Sequence, residues 1–205
     1  MIVTFSGIDG SGKTTRSEAL VQLLRAKGLP ALSSRPAYAA NDAIKDFCGW
    51  AYGDRFAYFT QLDGEFYVSC LTADWLCHLA RVLSKSQSQI LICDRYIYDV
   101  LAQATHMKAD AVPLRRLWKH FPRPEISYFL EVSPELAHAR LRLRADAPIH
   151  AAEALCELQT LHDSYAELAA CFDWPFVTVE QGACTENLAE EVERAWNRMH
   201  ISVNR

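Results

Sequence analysis

Between an apolar run, IVTFS (2–6), and a stretch patterned as a helix from about Lys13 to Lys27, the chain reads GIDGSGKT (7–14). This is G-x-x-x-x-G-K-[ST] in the strand–turn–helix setting that gives the motif its meaning. No other feature constrains the fold as much, because such a loop works at the carboxyl end of a sheet strand whose chain returns as a helix. Gly7, Gly10 and Gly12 let the backbone close around phosphate oxygens. The loop amides, those of Asp9 and Ser11 among them, and the helix N-terminus supply fixed positive dipoles. Lys13 is expected to bridge the β- and γ-phosphates, and the Thr14 hydroxyl, with Thr15 beside it, to hold Mg²⁺. A glycine-rich turn with a chance Gly-Lys dipeptide would explain the residues but not their placement.

The rest of the chain alternates in the same way. ALSS (31–34), QILIC (89–93), ISYFLEV (126–132) and PFVTV (175–179) read as strands. Helices are predicted over NDAIKDFCGW (41–50), roughly 65–85, after Arg95, near 113–120, from SPELAHARLRLR, across 151–170 and through TENLAEEVERAW. Gly28 and Pro30 stop the first helix, while Ser133 as N-cap and Pro134 at the first helical position open a later one. The alternation predicts an α/β fold with a parallel sheet. With 205 residues and no repeat, linker or low-complexity stretch, one domain spanning 1–205 is expected.

A formal net charge of −4 argues against a nucleic-acid or anionic-membrane partner. The N-terminal apolar run is too short for a signal peptide, and no run approaches the roughly 18 apolar residues of a membrane span. A cytoplasmic protein is expected. The seven cysteines are scattered, with no C-x-x-C pair and no zinc-finger spacing. Most are expected to be small buried apolar residues in a reducing compartment.

The run ILIC ends in Asp94-Arg95. No N-K-x-D is present for guanine, and the acidic pair of a strand-borne ATPase is here an acid followed by a base. Arginine beside a metal-side aspartate suits gripping a second phosphoryl group, which favours transfer to a bound acceptor over hydrolysis. Arg140, Arg142 and Arg144 alternate just before a break at ADAPIH (145–150). Alternate residues do not share one helical face. The comb therefore reads as a lid, about 140–152, whose cations arrive on closure; a solvated basic helix face is the plainer alternative.

With these residues in place, the chain resembles the thymidylate kinase family, nucleoside monophosphate kinases of the P-loop class, nearly end to end. FSGIDGSGKTT is similar to the family's phosphate loop and ILICDRY to its D-R-Y segment. PEISYFLEVSPELAHARLRLR is similar to its later strand, proline-started helix and lid arginines, and LHDSYAELA and the closing strand–helix pair also fit. The resemblance implies a three-layer P-loop kinase fold, a central parallel sheet with helices on both faces, using ATP and Mg²⁺. It implies Gly7, Asp9, Gly10, Ser11, Gly12, Lys13, Thr14 and Thr15 around the donor nucleotide, and Thr14 with Asp94, through water, at the metal. Asp9 would also face the acceptor sugar, Arg95 would hold the acceptor phosphate, and Arg142 and Arg144 would supply lid charges in the transition state. A homodimer through the long helices is implied as well. Gly10 stands where some members carry a catalytic arginine, which leaves that charge to the lid; there the family's later D-R is replaced by ADAPIH.

Resemblance decays on the acceptor side. The family's R-E-P-G-G and G-E-x-I-R correspond to SRPAYAANDAIK, so Lys45 falls where an arginine helps bind the acceptor phosphate. It keeps the charge and loses the bidentate fork. A stacking phenylalanine and a base-contacting arginine correspond to Leu71 and Trp75, and a serine and a glutamine to Asp99 and Ala104. These changes remove a guanidinium and an amide that could pair with thymine, which predicts altered discrimination. Trp75 reads equally as core or as a stacking platform. Asp99 reads as a solvated residue of a helix's first turn or as a ligand group for amine or hydroxyl donors. The aromatic stretch from Phe47 to Tyr67 is expected mostly to pack on the sheet and partly to build the altered pocket. The expected function is ATP- and Mg²⁺-dependent phosphoryl transfer to a nucleoside monophosphate, with dTMP the leading acceptor. The alternatives are a kinase for another small molecule, with Asp9 or Asp99 as base if the acceptor is a hydroxyl, and a nucleotide-binding module without transferase activity.

Overall fold

The strands expected from the alternation all form, and they pair in parallel throughout. The computed structural model describes residues 1–83, 89–110, 114, 116–117, 119–144, 150–171 and 176–201. Its strands β1 (Ile2–Ser6), β2 (Ala31–Ser34), β3 (Ile90–Asp94), β4 (Ile126–Leu130) and β5 (Val177–Val179) lie in the order β2-β3-β1-β4-β5. The helices are α1 (Lys13–Ala26), α2 (Ala39–Tyr52), the short α3 (Tyr58–Gln61), α4 (Gly64–Leu83), α5 (Ile97–His106), α6 (Pro134–Arg142), α7 (Leu155–Cys171) and α8 (Thr185–Ile201).

β1 and β3 are buried along their whole length, as a parallel sheet covered on both faces requires. Alternate residues go to opposite layers. Val3, Phe5, Ile90 and Ile92 pack with Leu20 and Leu24 of α1 and Val192 and Trp196 of α8. Ile2, Leu91 and Cys93 face the other way, with Trp75 of α4, Leu101 of α5 and Leu168 of α7. Each large aliphatic side chain fully buried this way contributes about 1.5–3 kcal/mol. The result is the three-layer α/β architecture expected from the sequence. Strand order reverses across β1, and Phe5 lies opposite Asp94 in the β1–β3 register. That pairing sets the end of β3 beside the start of the phosphate loop, at the switch point where ligands of such sheets bind.

Several boundaries differ from the sequence reading. The helix expected across 151–170 is divided into a 3₁₀ turn at Ala151–Glu153 and α7, because Ala154 is extended (φ −61°, ψ 148°). β5 covers only the end of PFVTV; residues 113, 115 and 118 of the helix expected near 113–120, and residues 145–149 of the expected lid, lie outside the described residues. Ser133 does cap α6, its Oγ accepting from Leu136 N–H at 3.3 Å with Pro134 at the first turn. The expectation of mostly buried cysteines is corrected: Cys48 and Cys93 are buried, but Cys77, Cys156 and Cys184 are exposed. Their spacing gave no helical or strand period that would have separated the two groups. Among the described residues no helix is long and apolar enough to cross a membrane.

Candidate active site

The phosphate loop is pressed against α6. A Cβ at Gly10, whose φ is +82°, would lie 2.5 Å from the Ala137 carbonyl oxygen. No side chain fits there, so an arginine at this position is excluded by space as well as by backbone conformation. Arg140 reaches back from α6 and donates to the Gly10 carbonyl at 3.3 Å. Lys13 is buried with its ammonium on the Gly7 and Ile8 carbonyls, each at 2.8 Å, and 3.7 Å from Asp9. Burial, followed by the nearby Arg95 charge, pulls the lysine down to about 8. Loop carbonyls are holding a charge whose natural partner is a phosphate.

At the end of β3, Thr14 Oγ1 donates to Asp94 Oδ2 at 2.7 Å, and Arg35 approaches the same oxygen at 3.8 Å. Asp94 Oδ1 is buried and has no hydrogen-bond partner among the described residues. Two adjacent hard oxygens, one carrying unused acceptor capacity, fit Mg²⁺. Among the described residues no group of three or more His, Cys, Asp or Glu could hold a metal. An ion here would therefore take its remaining ligands from phosphate and water, as Mg²⁺ does in phosphoryl-transfer sites.

One residue further on, the backbone of Arg95 adopts φ +76°, rare for a side-chain-bearing residue and associated with functional sites. Its guanidinium pairs with Asp9 and lies 3.5 Å from Asp99. Partial burial pushes the Asp9 carboxyl up, but Arg95 and Lys13 outweigh it and hold it well below the usual carboxylate range. Beyond Arg95 opens a cleft of about 220 Å³ between α2, α4, α5 and the segment at 150–152. Arg35, Lys45 and Arg95 give it cations, Asn41 and Gln103 amides, and Trp75 an indole wall. A second cavity of about 290 Å³ lies on the other side of the loop, bordered by Ser11, Gly12, Thr15, Arg140 and Gln181. The loop thus separates two binding spaces, with Lys13 and Arg95 meeting at Asp9 between them.

This arrangement agrees with what the chain is similar to. The family model described as thymidylate kinase matches residues 59–192. A probable thymidylate kinase of Sulfolobus acidocaldarius is 31% identical, over 99% of this chain and 98% of that protein. Another from Methanocaldococcus jannaschii is 24% identical over 94% of this chain and 91% of its own length. The chain belongs to the thymidylate kinase family. In fold, it superimposes on the crystal structure of thymidylate kinase from Ehrlichia chaffeensis with a TM-score of 0.64, covering 95% of this chain and 97% of that one at 21% identity.

Against the family pattern, the acceptor side holds several surprises. Trp75 is 1% exposed and meets Tyr96 and His78 edge-on, at 5.7 and 5.9 Å between ring centroids. It is core as well as cleft wall. Leu71 is buried against the same cleft. Asp99 is not the solvated first-turn residue that one reading allowed: it is buried, and both its oxygens accept protein hydrogen bonds. Ala104 is fully buried, and an amide lines the cleft one residue earlier, at Gln103. Lys45 does line the cleft, with an ion pair to Asp42 at 3.7 Å.

The lid arginines divide. Arg142 is exposed on the last turn of α6, and Arg144 donates to both oxygens of the buried Glu153 at 3.1 Å. Residues not singled out from the sequence also enter the site: Arg35, Asn41, and His150, which stacks on Phe56 at 3.8 Å and 11°. Arg35 had a usable signal. It follows β2, whose Ser34 pairs with Cys93, so a parallel register sets it beside Asp94.

Proposed function

We propose that this chain transfers the γ-phosphoryl group of ATP, with Mg²⁺, to a nucleoside monophosphate, and that the acceptor is dTMP. The observation that carries this reading is the meeting of Lys13 and Arg95 at Asp9, between a cavity on the phosphate-loop side and a cleft lined with cations, amides and aromatic rings. The thymidylate kinase names of relatives that align along nearly the whole chain support dTMP over other acceptors.

Each side chain has a role in this reading. Lys13 and the amides of Gly10, Ser11, Gly12 and Thr15 hold the donor phosphates. Thr14, with Asp94 through water, would hold Mg²⁺, which offsets phosphate charge. Arg95, with Arg35 and Lys45, grips the acceptor phosphate, while Asp9 orients Arg95 and borders the sugar. No general base is needed, because a phosphate monoester is already a nucleophile near neutral pH; positioning and charge neutralisation carry the rate. Arg140 stands beside the loop on α6, while Arg142 on its last turn and Arg144, if it leaves Glu153, supply lid charges. The whole chain, 1–205, acts as one unit with its lid at about 140–152.

A coupled ADP-release assay over dTMP, other nucleoside monophosphates, nucleosides and sugar phosphates tests the proposal, with Lys13→Ala as the blank. The expected result is dTMP-dependent ADP release that is lost in the blank. ADP release that is the same with every acceptor and with none would overturn it.

A further inference from the structure

Four donors converge on the buried carboxylate of Asp99. Ser6 Oγ (2.9 Å) and the Tyr96 N–H (2.8 Å) occupy Oδ2, while the Tyr165 hydroxyl (2.6 Å) and the Arg95 guanidinium (3.5 Å) share Oδ1. The donors come from β1, the β3–α5 junction and α7, so the carboxylate plane is fixed from three elements. Tyr165 is 2% exposed, packs on Phe129 at 5.4 Å, and is not among the residues lining the acceptor cleft.

The two distances at Oδ1 are unequal, and that inequality has a chemical meaning. The hydroxyl at 2.6 Å is the strong donor to this oxygen and holds it in place. Arg95, already bound to Asp9 through one terminal nitrogen, is kept at arm's length from the second carboxylate. Without that hydroxyl, Oδ1 would be a buried acceptor short of a donor, and the nearest remedy is to close on Arg95. An arginine clasped by two carboxylates has fewer N–H groups and less net positive charge to offer a phosphate.

We propose that Tyr165 is a positioning residue for recognition of the acceptor phosphate, acting through Asp99 to keep Arg95 open toward the cleft. The inference rests on the reading of Arg95 as the acceptor-phosphate grip.

Tyr165→Phe keeps the ring and removes the hydroxyl. Its KM for dTMP is expected to rise about 10- to 100-fold, the usual effect of losing a hydrogen bond to a charged group. The KM for ATP is expected to stay at its wild-type value, and kcat within about threefold of its own, because the hydroxyl touches neither the donor phosphates nor the loop. Thymidine, which has the same base and sugar but no phosphate, should inhibit the variant and the wild type within about twofold of each other. In an Asp99→Asn background the tyrosine hydroxyl should lose its effect, a non-additive cycle that independent packing roles would not produce. Ser6→Ala loosens the same carboxylate from its other oxygen and is expected to show the same phosphate-specific pattern, so the test survives if Tyr165→Phe fails to fold. Equal weakening of dTMP and thymidine, or no weakening of dTMP, would overturn the proposal. Failure of the wild type to use dTMP at all would instead remove the function on which it rests, and that is read before any variant is made.

Discussion

Replacing Gly10 with alanine probes how the phosphate loop is built, because two separable costs apply. The first is conformational: φ is +82°, and an L-residue there loses about 1–2 kcal/mol. The second is spatial. The new Cβ would sit 2.5, 2.9 and 3.0 Å from the carbonyl oxygen, carbonyl carbon and Cα of Ala137, all backbone of α6 and unable to swing aside. Overpacking of this kind costs about 1–3 kcal/mol, for a total of roughly 2–5 kcal/mol. In a chain of this length each kcal/mol lowers Tm by about 2–4 °C, so a fall of roughly 4–20 °C is expected. Gly12→Ala is the matched control. Its φ is +93° but nothing lies within 4 Å of the added carbon, so it should show the conformational cost alone. Because Arg140 donates to the Gly10 carbonyl, displacing α6 should also raise the KM for ATP. Thermal unfolding by circular dichroism and ATP titrations on both variants decide the matter. A Gly10→Ala protein no less stable than Gly12→Ala would refute the claim that α6 sets the shape of the loop.

Other expectations concern charge. Lys13, held at about 8 by burial and then by Arg95, loses its proton in the free enzyme as pH rises past that value, whereas bound phosphates would keep it protonated. The affinity for ATP should therefore be flat below about pH 8 and fall toward tenfold per unit above it, and a KM that stayed flat across this range would contradict the burial argument. Thr14→Val keeps the side-chain shape and removes the hydroxyl bonded to Asp94; titration should show the Mg²⁺ requirement rising about tenfold or more. Trp75→Arg, which would introduce the residue type that the family resemblance implies at this position, should not raise the preference for dTMP. Buried at 1% exposure against Tyr96 and His78, the new guanidinium should cost about 3–5 kcal/mol in a urea melt. A stable variant with enhanced preference for dTMP would show that the wall is more open than its packing implies.

The donor half of the site could be read from the residues because its chemistry is local. The loop, its lysine and its threonine lie within eight consecutive positions, and their backbone geometry follows from the glycines between them. Asp94 and Arg95 were readable for a related reason, since the end of a buried strand at a switch point is a predictable place. The acceptor half is assembled from α2, α4, α5 and the segment at 150–152, and there one residue of helical rotation decides what reaches the cleft. Gln103 and Ala104 make the point: the amide lies on the wall and its neighbour in the core. The sequence leaves the burial of Asp99 undecided because its partners, Ser6 and Tyr165, are 93 and 66 residues away along the chain. Arg144 reads from the sequence as a lid charge with no partner in view, because Glu153, across the break that follows it, carries no local pattern marking it as buried.

The left-handed turn of the backbone at Arg95 has a consequence for how the two substrates sense one another. It sends neighbouring side chains in different directions: Asp94 toward Thr14 and the donor side, Arg95 toward the acceptor cleft. Their Cα atoms are separated by one peptide unit, about 3.8 Å. A pull on the aspartate is thus delivered to the arginine through covalent geometry rather than through a chain of soft contacts. Donor and acceptor are then expected to alter each other's affinity, and by the same factor in both directions, since a binding free energy shared between two sites is reciprocal.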